Sequence, residues 1–249
     1  MLCHTHFMNN YTRDDIRTII DVFFKTNANQ SKIPFIKNVS QSKLSISGIT
    51  VPLLRKLNKS LCLAPFDLVL KTLNLDSLDE QMLYSFCCSS YSKTLGSAFP
   101  FEDFVYHLLF HVDSWVVTDS VDCPLFVTDK DACLSFCTKL LSSDSLFHKR
   151  TAFILEMKYL ASSEYIPFLK TSILSLGNTS EYYIQMAIAW LLQSLYASLK
   201  PLLLDLLADQ NLCLDIKLKA ISKLVDSRKT SFDDKIFFKQ LRTSLKSHS

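Results

Sequence analysis

The chain has 249 residues, 48% hydrophobic and 20% charged, with a formal net charge of +3, which supplies a packed core and excludes intrinsic disorder. Three glycines and seven prolines are too few to punctuate a many-stranded sheet, so helices joined by short polar loops are predicted. No apolar run reaches the roughly 20 residues that span a bilayer, and the start "MLCHTHFMNNYTRDD" lacks the basic-then-apolar order of a signal peptide, which predicts an intracellular protein, nuclear or cytoplasmic, without a membrane partner.

Helical spacing of apolar residues begins at Ile16, Ile19, Ile20 and Phe23 and is broken by "NANQSK" at 27 to 32. It resumes at Leu53, Leu54 and Leu57, stops at "SLCLAP" (60 to 65) and again at "GSAFP" (96 to 100), then continues through Phe104, Leu108 and Phe110 to "DCP" at 122 to 124. Beyond "LSSDS" (141 to 145) come Phe153, Ile154, Met157 and Leu160, then Phe168, Ile173 and Leu174 up to "LGNTS" (176 to 180). Met186, Trp190 and Leu191 precede "SLKP" at 198 to 201, and Ile216, Ala220 and Leu224 form the last pattern.

The segments between breaks are mostly about 20 to 35 residues, the length of a helix or helix pair in a HEAT-like α-solenoid, which buries its faces only by stacking neighbours. The predicted fold is therefore all-α: antiparallel helix pairs stacked into a curved array with a concave inner face. No internal linker is visible, so residues 1 to 249 are read as one domain, with 1 to 12 and 245 to 249 as flexible ends. Eight cysteines lie mostly within helical patterns, as small buried side chains do in a reducing compartment, and no disulfide is predicted.

From Lys217 onward there are nine Lys/Arg against three Asp/Glu, whereas the preceding part has eighteen against twenty-one. Such asymmetry marks either a polyanion partner or a solvated last helix.

"HVDSWVVTDSVDC" (111 to 123) places Trp115 and Asp119 at i and i+4, on one face if the segment is helical. A core tryptophan and an Asp cap are the structural alternatives. Arg150 stands in "FHKRTAFILEMKYL", where it snorkels to solvent, pairs with a carboxylate or presents its fork to a phosphate. In "EYYIQMAIAWLLQSL", Tyr183, Met186 and Trp190 form a stripe, with Ala187 and Ala189 permitting close approach of a neighbouring helix. His107 and His111, like Cys133 and Cys137, are spaced as two metal ligands on a helix, but neither pair brings a third, and no metal or other cofactor is expected. Phosphate loops and nucleophile elbows are absent from the sequence.

The segments "SGITVPLLRKLNK" (47 to 59), "HVDSWVVTDSVD" (111 to 122), "HKRTAFILEMKYL" (148 to 160), "SEYYIQMAIAWLLQ" (180 to 193) and "IKLKAISKLVDSR" (216 to 228), in this order and spacing, resemble the AlkD-like DNA alkylation repair family over nearly the whole chain. The resemblance implies a HEAT-like solenoid whose concave face holds duplex DNA, and a glycosylase that hydrolyses the N-glycosidic bond of cationic purines alkylated at N3 or N7. It carries Asp119, Trp115, Trp190 and Arg150 over as the catalytic set. Arg150, Lys149, Arg55, Lys56, Lys219, Lys223 and Arg228 are the expected DNA contacts, with Lys217 contributing from the same basic tail. Duplex DNA containing alkylated bases is the implied partner, with no obligate protein partner. The alternative is a non-catalytic HEAT-like module that binds nucleic acid or protein and has lost the glycosylase activity.

Overall fold

A computed structural model describes residues 11 to 247. Helix accounts for 74% of the described residues, more than the half that the apolar spacing requires. Among the described residues the β structure is a single isolated parallel bridge between Ser45 and Ser77. The helices fall into two compact units, divided after Val127.

The first unit contains α1 (Arg13–Asn27), α2 (Ile33–Ser40), α3 (Val51–Leu61), α4 (Phe66–Thr72), α5 (Leu78–Leu95), α6 (Phe101–Leu109) and α7 (Trp115–Ser120). Local chemistry sets the starts. Thr12 and Asp15 form a reciprocal capping box at α1, Ser77 and Ser114 cap α5 and α7, and Pro34 and Pro52 occupy first turns, where a missing N–H costs nothing.

The core of this unit is α5, thirteen of whose eighteen residues are buried. A helix buried all round has no polar stripe, so the apolar spacing that marks its neighbours is missing from "LDEQMLYSFCCSSYSKTL". Its buried polar residues are used to fasten loops. Asp79 accepts the Ser47 and Ile49 amides at 2.7 and 3.3 Å, and burial, opposed by these bonds, pushes its carboxyl above the usual range. Glu80 accepts Arg17 at 2.9 and 3.3 Å and the Asn74 amide at 2.8 Å, while Gln81 donates to the carbonyls of Leu75 and His111. Gly48, at φ +74°, lies so close to the Asn29 carbonyl that an added Cβ would stand 2.2 Å from its oxygen, so only glycine fits this crossing.

The second unit contains α8 (Lys130–Leu141), α9 (Leu146–Leu155), α10 (Ile166–Ser175), α11 (Tyr182–Leu195), α12 (Lys200–Ala208), α13 (Leu214–Asp226) and α14 (Phe232–Ser247). A π-helical turn, Glu156–Leu160, continues α9. The central helix is α11, whose Ile184, Ala187, Ile188, Leu191, Leu192 and Leu195 are buried. It packs on α9 and on α13, where Ile216, Ala220, Ile221 and Leu224 are fully buried. Ala187 and Ala189 are at most 1% exposed, so the small residues do admit a close neighbour as their spacing predicts. Asp234 ties α14 to this unit, receiving Tyr196 Oη and Lys200 Nζ each at 2.6 Å. The Lys200 ammonium, with the Tyr196 and Ser231 hydroxyls, holds its carboxyl down to about 2.

The predicted breaks fall between helices throughout, but the ends differ. Of the residues read as flexible, 245 to 247 continue α14, whereas 1 to 10, 248 and 249 lie outside the described residues. Phe110, placed in an apolar pattern by its spacing, follows the last residue of α6 and is 64% exposed, because the chain turns there and leaves the helix face. The seven described cysteines are free thiols. No helix among the described residues is long and apolar enough to cross a membrane.

Candidate nucleic-acid site

The segment "SWVVTDS" is helical as its spacing predicts, and Ser114, rather than an acid, is its N-cap. Asp113, Ser114 and Trp115 all reach back to the end of α2. Asp113 accepts Ser42 Oγ and the Lys43 amide, both at 2.6 Å, and Ser114 Oγ donates to the Ser40 carbonyl at 2.7 Å. Trp115 Nε1 donates to the Val39 carbonyl at 3.1 Å. The last carbonyls of a helix lack intrahelical donors, and here α7 supplies two of them.

Trp115 is therefore half-buried and held in orientation, and its ring lines an apolar cleft of about 480 Å³ together with Phe35, Val39, Ile49, Leu78 and Met82. Replacing Trp115 with Phe keeps a ring but leaves the Val39 carbonyl without its donor. We expect a loss of about 1 kcal/mol, read as a lower urea midpoint with an unchanged m-value; an unaltered midpoint would show that the bond contributes nothing.

Asp119 occupies the last turn of the same helix, four residues from Trp115, with Thr118 Oγ1 3.3 Å from Oδ1. A carboxylate there faces the negative end of the helix dipole, so helix stability does not account for an acid at this position, and the cap reading does not hold for α7. Two of the expected DNA contacts also stand in this unit. Arg55 and Lys56 are exposed on α3, and the Arg55 guanidinium lies 4.3 Å over the ring of Phe86.

In the second unit Arg150 is 4% exposed and donates from Nη1 to the Tyr183 carbonyl at 2.7 Å, so it neither snorkels nor depends on a carboxylate alone. Its neighbour Lys149 is half-buried. Trp190, half-buried on α11, lines a cleft of about 440 Å³ with Met157, Gln193, Tyr196, Arg228 and Lys229. Two lysines of α13 stand above α11 aromatics, Lys223 Nζ 5.9 Å from the Trp190 ring centre and Lys219 Nζ 5.9 Å from that of Tyr182. An aromatic wall and a cationic rim are thus built by one helix pair. Lys217, expected to join this basic set, is instead 8% exposed, because its position on α13 faces the packed side.

The structure brings Trp115 and Asp119 together on α7, and Trp190, Lys219, Lys223 and Arg228 together around α11 and α13; the two groups belong to different units. Of the metal-spaced pairs, the histidines lie at the surface and the cysteines in the core. The His107 and His111 rings meet edge-on with centres 5.1 Å apart, and Cys133 and Cys137 are fully buried in α8. Among the described residues no group of three His, Cys, Asp or Glu side chains is placed to hold a metal ion.

One residue missed from the sequence is Glu156, which opens the π-turn and is fully buried. Ser172 Oγ donates to its Oε2 at 2.7 Å, whereas Oε1 has no hydrogen-bond partner. Burial pushes its carboxyl up to about 8, the Ser172 bond opposing, so the acid is mostly neutral at pH 7. A lone acid within "FILEM" was the available signal. It immediately precedes Met157, a wall of the Trp190 cleft, and π-turns are often found at functional sites.

Because the folded-state value lies above the ordinary 4.5, the fold gains from the protonated form. That stability is complete below pH 4.5 and is lost as pH rises to about 8. Relative to Glu156→Gln, the wild type is expected to lose on the order of a few kcal/mol between pH 5 and pH 9. Thermal midpoints of both chains across that range test this, and a difference independent of pH would refute it.

A family model for the DNA alkylation repair enzyme matches residues 21–212. The chain belongs to that family. None of the curated proteins matches it. Membership ties the chain to DNA repair, with DNA as the substrate, and agrees with the all-helical, HEAT-like architecture described above. The match includes α7, α9 and α11, which carry Trp115, Asp119, Arg150 and Trp190, and ends before α13, which carries the lysines of the cationic rim.

Proposed function

We propose that this DNA alkylation repair enzyme is a DNA glycosylase that hydrolyses the N-glycosidic bond of purines made cationic by alkylation at N3 or N7 in duplex DNA. The observation that carries the reading is the cleft of the second unit, where Trp190 forms an aromatic wall beneath Lys223 and beside Arg228 and Lys229. Cations of this kind draw a phosphate backbone, and an aromatic face accepts a base or a cation.

Cleaving the glycosidic bond develops positive charge on the sugar, as in the oxocarbenium-like transition state of glycoside hydrolysis. Asp119 supplies the negative charge that stabilises it and orients the attacking water, and the ring face of Trp115, on the same helix, favours the same cation; Trp190 gives the second unit its own aromatic face for a base. Lys149, Arg55, Lys56, Lys219, Lys223 and Arg228 hold phosphates, whereas Arg150, buried and bonded to the Tyr183 carbonyl, ties α9 to α11. A cationic base is already a good leaving group, so a strong general acid is not required.

A second reading, a binding module without chemistry, draws on the structural employment of "DSW": Asp113, Ser114 and Trp115 all secure the end of α2. Release of 3-methyladenine or 7-methylguanine from methylated duplex DNA decides between the two. Release above the spontaneous rate supports the enzyme; retarded DNA without any released base supports the module.

A further inference from the structure

The end of α6 carries two histidines side by side. His107 and His111 are exposed, and their rings meet with centres 5.1 Å apart and planes inclined at 65°. Among the described residues, no hydrogen bond or ion pair is made by a ring nitrogen of either. Their backbones, in contrast, are fixed. The His107 carbonyl accepts the Phe110 amide at 3.3 Å, and the His111 amide donates to the Leu108 carbonyl at 2.9 Å. The His111 carbonyl in turn accepts Nε2 of the fully buried Gln81 of α5 at 2.8 Å. Two imidazoles with unused nitrogens are thus presented together by a backbone that need not reorganise.

We propose that His107 and His111 form a binding site for a zinc ion, held by one nitrogen of each ring and completed by water. Imidazole suits zinc, which binds nitrogen at about 2.0 Å and prefers tetrahedral angles. With the ring radius added, two imidazoles at that angle stand with their centres about 5 Å apart, against about 4.5 Å for the right angle of a square-planar or octahedral ion. The observed 5.1 Å fits the tetrahedral case. The outer torsion of histidine is broad, so the exposed rings can turn their nitrogens to a shared ion without moving the backbone.

The surrounding charges agree with a cation. Both rings lie at the C-terminal end of α6, the negative end of its dipole. Asp103, exposed one turn before His107, borders the same cleft of about 260 Å³ as that ring. Lys71, which also borders it, is paired with Asp67 at 3.9 Å. The sequence spacing argued against a metal because a third ligand was missing, and among the described residues no third His, Cys, Asp or Glu side chain joins the pair. Exposure supplies water in its place. The site is therefore open, unlike the closed four-ligand sites that hold a fold together.

The test is equilibrium dialysis of the full chain against zinc chloride in neutral buffer, with bound zinc counted for the wild type, His107→Ala and His111→Ala. Both positions are exposed, so neither substitution opens a cavity. The wild type is expected to hold one zinc ion more than either variant. Zinc taken up by cysteines or by other histidines cancels in that difference, since the three chains share them. As the extra ion binds, the ring proton signals of His107 and His111 should move together, and the thermal midpoint of the wild type should rise further with zinc than that of either variant. Equal zinc contents in all three chains, or ring signals that stay in place at saturating zinc, would overturn the proposal. Loss of the ion in one variant alone would also overturn it, by reducing the pair to a single ligand.

Discussion

Asp119→Asn is expected to cut the excision of methylated purines by on the order of 100-fold or more while moving the thermal midpoint little. Asn keeps the shape of the side chain and its neighbour Thr118 but removes the charge that would stabilise the sugar cation. The position makes the experiment discriminating. Asp119 lies in the last turn of α7, where a carboxylate opposes the helix dipole, and Ser114 already caps the other end. Loss of the charge should therefore not loosen the helix. Single-turnover excision from methylated DNA, measured beside a melting curve, separates the possibilities. Wild-type excision by Asp119→Asn would end the catalytic reading, and joint loss of excision and stability would make the acid a packing residue.

The same stretch illustrates what a sequence discloses and what it withholds. That Trp115 and Asp119 share a short helix follows from an i, i+4 spacing, a local property. That the indole N–H is used on the Val39 carbonyl does not, because the partner is 76 positions away and the bond exists only once α2 and α7 have packed. Apolar spacing exposed the amphipathic helices, among them α1, α3 and α13, since each buries one stripe. It passed over α5, whose burial extends around the helix and whose acids are satisfied by loop amides and Arg17 rather than by water. Burial of Lys217 and exposure of Phe110 are further tertiary outcomes, set by which side of a helix meets a neighbour and by where a helix stops. Glu156 was legible as an odd acid in an apolar run, but its neutral state depends on the depth of the site, which outweighs the single hydroxyl from α10 that favours the charged form.

Joint substitution of Lys219, Lys223 and Arg228 by Gln is expected to weaken binding to any duplex and to reduce the slope of log affinity against log salt by about 3, close to one for each phosphate that is no longer neutralised. The three residues leave the core untouched: Lys219 and Lys223 are half-buried over aromatic rings of α11 and Arg228 is exposed beside the Trp190 cleft. Lys217 is left out because it is buried, and its removal would confuse folding with binding. Phosphate contacts carry no sequence information, so the weakening should be equal for methylated and unmethylated duplexes, and the ratio of their affinities should stay constant. A change in that ratio would mean that these cations read the lesion itself. An unchanged salt slope would move the phosphate-binding surface away from α13, leaving Arg55, Lys56 and Lys149 as the groups to test next.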